Sequence, residues 1–288
     1  MPPRPLPLVW ITGANGLIGN YLVQTAPQLA PGWRVRALTR AGLDLLDSAA
    51  VANEFKKESP QLVIHCAAMT VVAEVQKNPD HARRVNCDVT RHLSSLAAES
   101  RLVFFSTDLV FDGRRGNYVE TDAVNPLTRY GETKAVAEKL VLENPRHLVV
   151  RTSINGGVSA AGNRAFNELL RHSLRAGGQG MTCFTDEFRC PIPAVETARA
   201  VWELALRNCA GLFHLAGAER LSRWQMAQAL LTRWGRAADR IRSGSAKEFA
   251  GPPRALDTSL NLARIQPILS RPLPGLTEWL AANPHADF

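Results

Sequence analysis

The sequence predicts a doubly wound α/β fold, a parallel sheet with helices on both faces. Short apolar runs alternate with helical stretches through the first half of the chain. A glycine-rich turn, Thr12-Gly13-Ala14-Asn15-Gly16-Leu17-Ile18-Gly19, joins the first run to the first helix. Further along, Tyr130 and Lys134 stand one helical turn apart, so a phenol and an ammonium share a face.

Leu8-Val9-Trp10-Ile11 reads as the first strand and residues 17–28 as the first helix. Val35-Arg36-Ala37-Leu38 is the second strand, followed by a helix over 48–58. Leu62-Val63-Ile64 is the third strand; after a loop, a single helix is expected over 79–100. Leu102-Val103-Phe104-Phe105 is the fourth, and a long polar loop then runs to Pro126. Residues 130–142 are helical, and His147-Leu148-Val149-Val150 is a further strand. Past Thr152 the pattern loosens: Gly156, Gly157, Gly162, Gly177, Gly178 and Gly180 flank a helix at 166–175. An amphipathic helix at 194–207, a strand at Leu212-Phe213-His214-Leu215, and helices at 223–233 and near the C-terminus complete the chain.

The 288 residues suffice for a large core, and 45% hydrophobic with 21% charged residues is the balance of a soluble globular protein. No apolar run approaches the ~18 residues of a membrane span. Met1-Pro2-Pro3-Arg4-Pro5-Leu6-Pro7 lacks an apolar signal core and reads as a frayed leader, so a cytoplasmic location is expected. Five cysteines (Cys66, Cys87, Cys183, Cys190, Cys209) show no Cys-x-x-Cys spacing, which argues for reduced thiols and against zinc. The net charge of +8 is spread over dispersed arginines, so no nucleic-acid tail is indicated. A small phosphorylated ligand accounts for the excess equally well, and so does no ligand.

Gly13 permits a tight turn, Gly16 lets backbone approach a pyrophosphate, and Gly19 lets the helix pack on the sheet. Asn15, Leu17 and Ile18 belong to the same turn, whose helix N-terminus offers free N–H groups to phosphates. At the end of the second strand, Arg40 with Thr39 suits the 2′-phosphate of NADP(H), where an NAD(H) site usually carries a carboxylate. NADP(H) is therefore expected, with NAD(H) left open. Asp44 and Leu45 fall where the adenine edge should lie, and Ala67, Ala68 and Met69 border the nicotinamide side. His65 and Cys66 read as buried packing residues.

The fourth strand ends in Phe105-Ser106-Thr107-Asp108, at the crevice edge of such a sheet. A hydroxyl there can bond the oxygen that Tyr130 protonates; Ser106 and Thr107 both qualify. An ammonium beside the phenol is expected to lower a pKa that is ~10 in a free side chain.

On these features the chain resembles the extended short-chain dehydrogenase/reductases, and more closely the dTDP-4-dehydrorhamnose reductase group. The matching residues are Ser106-Thr107-Asp108-Leu109-Val110-Phe111-Asp112-Gly113, Glu120-Thr121-Asp122, Asn125-Pro126-Leu127 and Tyr130-Gly131-Glu132-Thr133-Lys134. His65-Cys66-Ala67-Ala68-Met69-Thr70, Val85-Asn86, Arg151-Thr152-Ser153, Gly211 to Gly217 and Arg254-Ala255-Leu256-Asp257 also fit. The resemblance implies an NAD(P)-dependent oxidoreductase acting on CH-OH groups. By position, it gives the hydroxyl role to Thr107, proton donation to Tyr130, and pKa tuning with ribose binding to Lys134. The chain departs from the group at Val72-Ala73-Glu74-Val75-Gln76, Leu109, Ile154 and Arg189-Cys190-Pro191-Ile192, positions on the substrate side.

The implied architecture is a Rossmann domain (1–151, 192–217 and 266–288) and a smaller, discontinuous substrate domain (152–191 and 218–265). The implied partner is a nucleotide-sugar or related ketone, with a homodimer left open. Arg189 and Arg254 are candidate diphosphate ligands, because guanidinium forks match phosphate oxygens. Thr107, Asp108 and Ile154 complete the candidate substrate contacts, and Asp186 and Glu187 could bond sugar hydroxyls. Trp224 and Trp234 read as packing residues. The competing expectations are a sugar-nucleotide epimerase or dehydratase, and a non-catalytic NADP-binding regulatory subunit.

Overall fold

Six strands, all parallel to their neighbours, form the central sheet in the order β2-β1-β3-β4-β5-β10. They are β1 (Leu8–Thr12), β2 (Arg34–Leu38), β3 (Leu62–His65), β4 (Arg101–Thr107), β5 (Leu148–Thr152) and β10 (Gly211–Leu215). The computed structural model describes residues 5–160, 162, 165–175, 180–286 and 288. Residues 1–4 of the leader, Gly177 and Gly178 lie outside the described residues.

Every residue of β1, β3 and β5 is buried, which explains their unbroken apolar runs: the sheet is covered on both faces. Alternate side chains go to opposite layers. Val9, Ile11, Ile64, Val103 and Val150 pack with Leu22 of α1 (Leu17–Leu29) and Trp202 of α8 (Ala194–Leu206). Trp10, Val63, Leu102, Phe104 and Val149 face Phe55 of α2 (Ser48–Glu58), Leu93 of α5 (Val89–Leu96) and Val141 of α6 (Arg129–Leu142). The edge strand β2 buries only Leu38 and carries Arg34 and Arg36 at the surface, which discourages edge-to-edge pairing.

The single helix expected over 79–100 is instead α4 (Pro79–Arg83), a π-helical turn at Arg84–Asp88, and α5. A further helix, α3 (Val72–Lys77), occupies the expected loop before it. The π turn carries Asn86 into the interior, where its amide is hydrogen-bonded on both sides, so tertiary bonding overrides the local helical period.

The rest of the chain forms a smaller unit of two-stranded pairs. β7 (Met181–Phe184) pairs with β12 (Ile241–Gly244), and β8 (Phe188–Arg189) with β11 (Leu221–Ser222). β6 (Asn155–Gly156) and β9 (Ile192–Pro193) pair near the sheet. Its core joins Phe166 and Leu170 of α7 (Phe166–Ser173), Met226 and Leu230 of α9 (Arg223–Trp234), and Leu276, Trp279 and Phe288 from α10 (Leu276–Ala282) and beyond. Ile265, Leu269 and Leu273, just upstream of α10, pack under the central sheet instead. All five cysteines are free thiols, as expected. Among the described residues no helix is long and apolar enough to cross a membrane.

Two buried histidines bind this core to pH. Burial, with Lys134 nearby, lowers His65 from 6.5 to about 3, and burial, with Arg151 nearby, lowers His214 to about 3. Below pH 6.5 the unfolded chain takes up protons that the folded chain refuses, so stability falls as the solution is acidified. Each histidine contributes up to about 1.4 kcal/mol per pH unit in this window. The melting temperature should therefore drop steadily from pH 6.5 to about 5, before most carboxylates titrate. A flat melting temperature across that window would show that neither histidine is held neutral.

Candidate active site

The chain leaves β1 for β2 on one side, while β3 lies on the other, so the strand C-termini open a crevice between β1 and β3. Gly13 sits there at φ +66°, and a Cβ on it would lie 2.7 Å from the Ala67 nitrogen. Only glycine meets both demands. Thr12 Oγ1 fastens the same junction, bonding His65 Nδ1 (2.7 Å) and accepting from Ala67 N–H (3.2 Å). Gly16 caps α1 with its backbone, and no side chain covers the helix N-terminus. Gly19 faces the Gly13 carbonyl, just beyond the end of β1, so the absence of a side chain lets the helix close onto the turn. Asn15 is exposed at the tip, and Leu17 and Ile18 are half-buried behind it.

Beyond β2, Thr39 Oγ1 accepts from Gly42 N–H (3.3 Å) and Asp44 Oδ1 from Leu46 N–H (3.0 Å), which shapes the loop around Arg40. Arg40 is exposed and, among the described residues, has no hydrogen-bond or ion-pair partner. Leu45 packs on the α2 side of the sheet. After β3, Ala67 and Ala68 are half-buried, and Met69 is held on both sides by Asn86 (N–H to Oδ1 2.8 Å, Nδ2–H to O 3.1 Å). Asn86 also donates to Thr133 Oγ1 at 3.0 Å, tying this loop to the helix that carries Tyr130 and Lys134. Asn86 was legible only as part of a family match; a buried amide inside a helix is a signal in itself, because it must be bonded.

Thr128 caps α6 by accepting from Gly131 N–H (3.2 Å) and so sets the helix start beside Tyr130. Tyr130 is buried, and the Thr107 hydroxyl acts on its phenol. The neighbouring Ser106 is taken up by Glu138, to which its Oγ donates. Thr107 is therefore the hydroxyl that meets Tyr130.

The electrostatics differ from expectation. Burial pushes the Tyr130 phenol above its ordinary value, the Thr107 hydroxyl opposes this, and the Asp108 charge adds to it. Lys134 does not lower it. Its Nζ lies 3.9 Å from the centre of the Phe104 ring, among Glu138, Cys66 and Cys87. Burial lowers the Lys134 ammonium itself to about 7, against the Glu138 charge. The phenol thus stays protonated at neutral pH, the state a proton donor needs.

Glu138, one turn beyond Lys134, is the second residue missed. Tyr130, Lys134 and Glu138 form one i, i+4 stripe, a spacing that could have revealed it. Its carboxylate accepts from Arg151 Nε (2.9 Å) and Nη2 (2.8 Å), and from Ser106. Arg151 and Glu138 are both buried, so neither has solvent to fall back on.

On the substrate side several expectations are corrected. Asp108 is buried and saturated: it accepts from Ser153 (2.7 Å), Thr258 (3.0 Å) and Thr107 (3.2 Å), with Arg189 Nε at 3.6 Å. Arg189 is 3% exposed and donates to the Phe188 and Ala255 carbonyls, so it is not a free diphosphate ligand. Glu187 is enclosed by three arginines, and Asp186 caps the turn at Ser245 and Ala246; neither is open to a sugar. Arg254 keeps part of its surface exposed while its Nε meets Glu187 at 2.6 Å. Ile154 packs against the smaller core, as do Trp224 and Trp234.

A doubly wound sheet with Thr107, Tyr130 and Lys134 at its strand ends defines an extended short-chain dehydrogenase/reductase. Residues 8–282 match the model described as RmlD substrate binding domain, and the chain belongs to that family. It is similar to the dTDP-4-dehydrorhamnose reductase of Mycobacterium tuberculosis (32% identical over 263 residues, 87% of this chain and 84% of that protein). It is also similar to methionine adenosyltransferase 2 subunit beta of Bos taurus (28% over 271 residues, 90% and 81%). A crystal structure of dTDP-4-dehydrorhamnose reductase from Bacillus anthracis in complex with NADP shares the fold (TM-score 0.86, 24% identity, 96% of this chain and 98% of that one).

Replacing Arg151 by Met strands the Glu138 charge in the interior and should cost about 3–5 kcal/mol. Denaturant unfolding measures this directly; a loss below about 1 kcal/mol, the scale of a surface pair, would contradict the buried-pair assignment.

Proposed function

We propose that this chain is an NADPH-dependent reductase of a keto-sugar nucleotide, similar to dTDP-4-dehydrorhamnose reductase. The observation that carries the proposal is the buried Tyr130 phenol with the Thr107 hydroxyl acting on it, beside the crevice that Gly13 opens. The cradle fits the cofactor: a Cβ would fill it at Gly13, the N-terminus of α1 is uncovered, and Arg40 stands unpaired at the end of β2. NAD(H) is a weaker alternative, because no carboxylate stands where Arg40 does. The first unit of the chain, up to residue 151 with 192–217 and 266 onward, would hold the cofactor. Residues 152–191 and 218–265 would hold the substrate, joined by α10, which packs on their side.

When bound, NADPH supplies the hydride that reduces the ketone carbon. Gly13, Asn15, Gly16, Leu17 and Ile18 hold its pyrophosphate, Thr39 and Arg40 its 2′-phosphate, and Asp44 and Leu45 its adenine side. Ala67, Ala68 and Met69 border the nicotinamide, with Met69 fixed by Asn86. Thr107 and Tyr130 hydrogen-bond the ketone oxygen and strengthen those bonds as charge develops on it. Tyr130 then gives up its proton to that oxygen and is reprotonated from solvent. Lys134 binds the ribose and stabilises the transient phenolate once ligands draw it toward Tyr130. The partner would be a small-molecule nucleotide-sugar or related ketone, with a homodimer left open and a cytoplasmic location expected.

Methionine adenosyltransferase 2 subunit beta is a similar protein named as a subunit, which favours a second reading: an NADP-binding regulatory subunit. An epimerase or dehydratase is disfavoured, since those reactions recycle their cofactor and consume none.

Tyr130→Phe should abolish turnover and leave NADPH affinity within about twofold, because the phenol contacts substrate oxygen and not the phosphates. Wild-type rates in that variant would sink the assignment of Tyr130 as the proton donor. Arg40→Ala should weaken NADPH by about tenfold or more and NADH by little, as loss of a charged phosphate contact requires. Equal losses for the two cofactors would refute the contact.

A further inference from the structure

Arginines dispersed along the sequence are gathered by the fold at one end of the smaller unit. Residues 171–175 and 233–242 hold six arginines against one carboxylate, Asp239, a surplus of five positive charges in a chain whose whole surplus is eight. α7 and α9 both finish there, and β12 begins there. The Arg171 guanidinium lies 4.6 Å from the centre of the Trp234 ring, and Arg240 Nη1 donates to the Arg175 carbonyl (2.7 Å). Arg240 and Arg242 flank the buried Ile241 and share the outward side of the chain entering β12.

Helix ends account for part of this cluster. Arg171 and Arg233 stand in the last turns of α7 and α9, where a cation complements the helix dipole. Arg233 also donates to the Asn283 carbonyl (2.9 Å). Arg175, Arg236 and Arg242 lie beyond the helices and are exposed. Among the described residues, the guanidinium groups of these three have no hydrogen-bond or ion-pair partner. Like charges gathered on one face repel, and salt only screens the repulsion. An anionic chain laid across them would instead be held by several charge-assisted forks at once.

The face is well separated from the catalytic end of the unit. α9 starts at Arg223, which pairs with Glu187, and reaches Arg233 about 15 Å further along its axis. Carboxylates and phosphates both suit guanidinium forks, but a single-stranded nucleic acid also needs aromatic faces on which its bases stack. The Trp234 ring is covered by Arg171 and packs against the smaller core, so it offers no such platform. A protein segment rich in Asp and Glu needs the forks alone.

We propose that this arginine face is a docking surface for an acidic segment of a partner protein. It lies apart from the crevice, so the inference holds whether or not the chain reduces a keto-sugar.

The test is fluorescence anisotropy of a labelled oligoglutamate peptide titrated with the full chain, with NADP at saturation to fill the glycine turn. The wild type should bind the peptide, and added salt should weaken binding several-fold, roughly as screening of surface charges requires. Arg236→Glu with Arg242→Glu should weaken it by about tenfold or more, since two attractive contacts become repulsive. Arg91→Glu with Arg207→Glu reverses two exposed charges elsewhere, on α5 and beyond α8, and should change binding by less than about twofold. Should the first pair fail to fold, Arg236→Gln with Arg242→Gln removes the charges without reversing them and should still weaken binding about threefold. No binding to the wild type, or equal losses in the two charge-reversed pairs, overturns the docking surface. Tighter, arginine-dependent binding of an oligothymidylate of matched charge would overturn the acidic protein segment in favour of a nucleic acid.

Discussion

The site depends on one buried ion pair. Glu138 and Arg151 are both almost wholly excluded from solvent and joined by two hydrogen bonds, with Ser106 as a third partner. The pair ties α6 to β4 and β5 at the level of the catalytic residues. Ser106 precedes Thr107 in β4, and Glu138 follows Lys134 by one turn of α6. Charges taken out of water must be paired and hydrogen-bonded, so the helix has little freedom to slide along the sheet. That register holds Tyr130 against Thr107. Asn86 adds a second tie, from Thr133 to the Met69 loop.

Burial then decides the protonation states. The same desolvation raises the phenol of Tyr130 and lowers the ammonium of Lys134, because in both groups it penalises the charged form. An acid that stays protonated and a lysine near its titration point suit delivery of a proton in the reductive direction. The phenolate left behind needs a nearby cation. Lys134 lies over Phe104, one turn of α6 from Tyr130.

Much of this was legible in the sequence. The strands of the central sheet are unbroken apolar runs because both faces are covered, and such runs are visible without a structure. Gly13 and the Tyr130–Lys134 spacing could be read because the geometry they serve is local. What could not be read depends on partners distant in sequence. The π turn at Asn86 is held by Met69 and Thr133; the choice of Thr107 over Ser106 follows from the bond that takes up Ser106 at Glu138. Arg189 read as a candidate diphosphate ligand, yet Asp108, Glu187 and Ala255 enclose it. Lys134 stands one turn from Tyr130 as the spacing implied, but helical spacing sets no direction for a long flexible side chain.

The departures from the dTDP-4-dehydrorhamnose reductase group fall at residues 72–76 and Leu109, which pack about Tyr130, and at Ile154 and the segment 189–192 beside the smaller unit, while the cofactor turn and the Thr107, Tyr130, Lys134 set are complete. The account therefore commits to reductase chemistry and leaves the sugar to be identified. NADPH oxidation followed across a panel of 4-keto nucleotide-sugars tests this most directly. The account predicts stoichiometric NADPH consumption with at least one member, matched by appearance of the corresponding alcohol. Tight NADP binding with no consumption across the whole panel would contradict it.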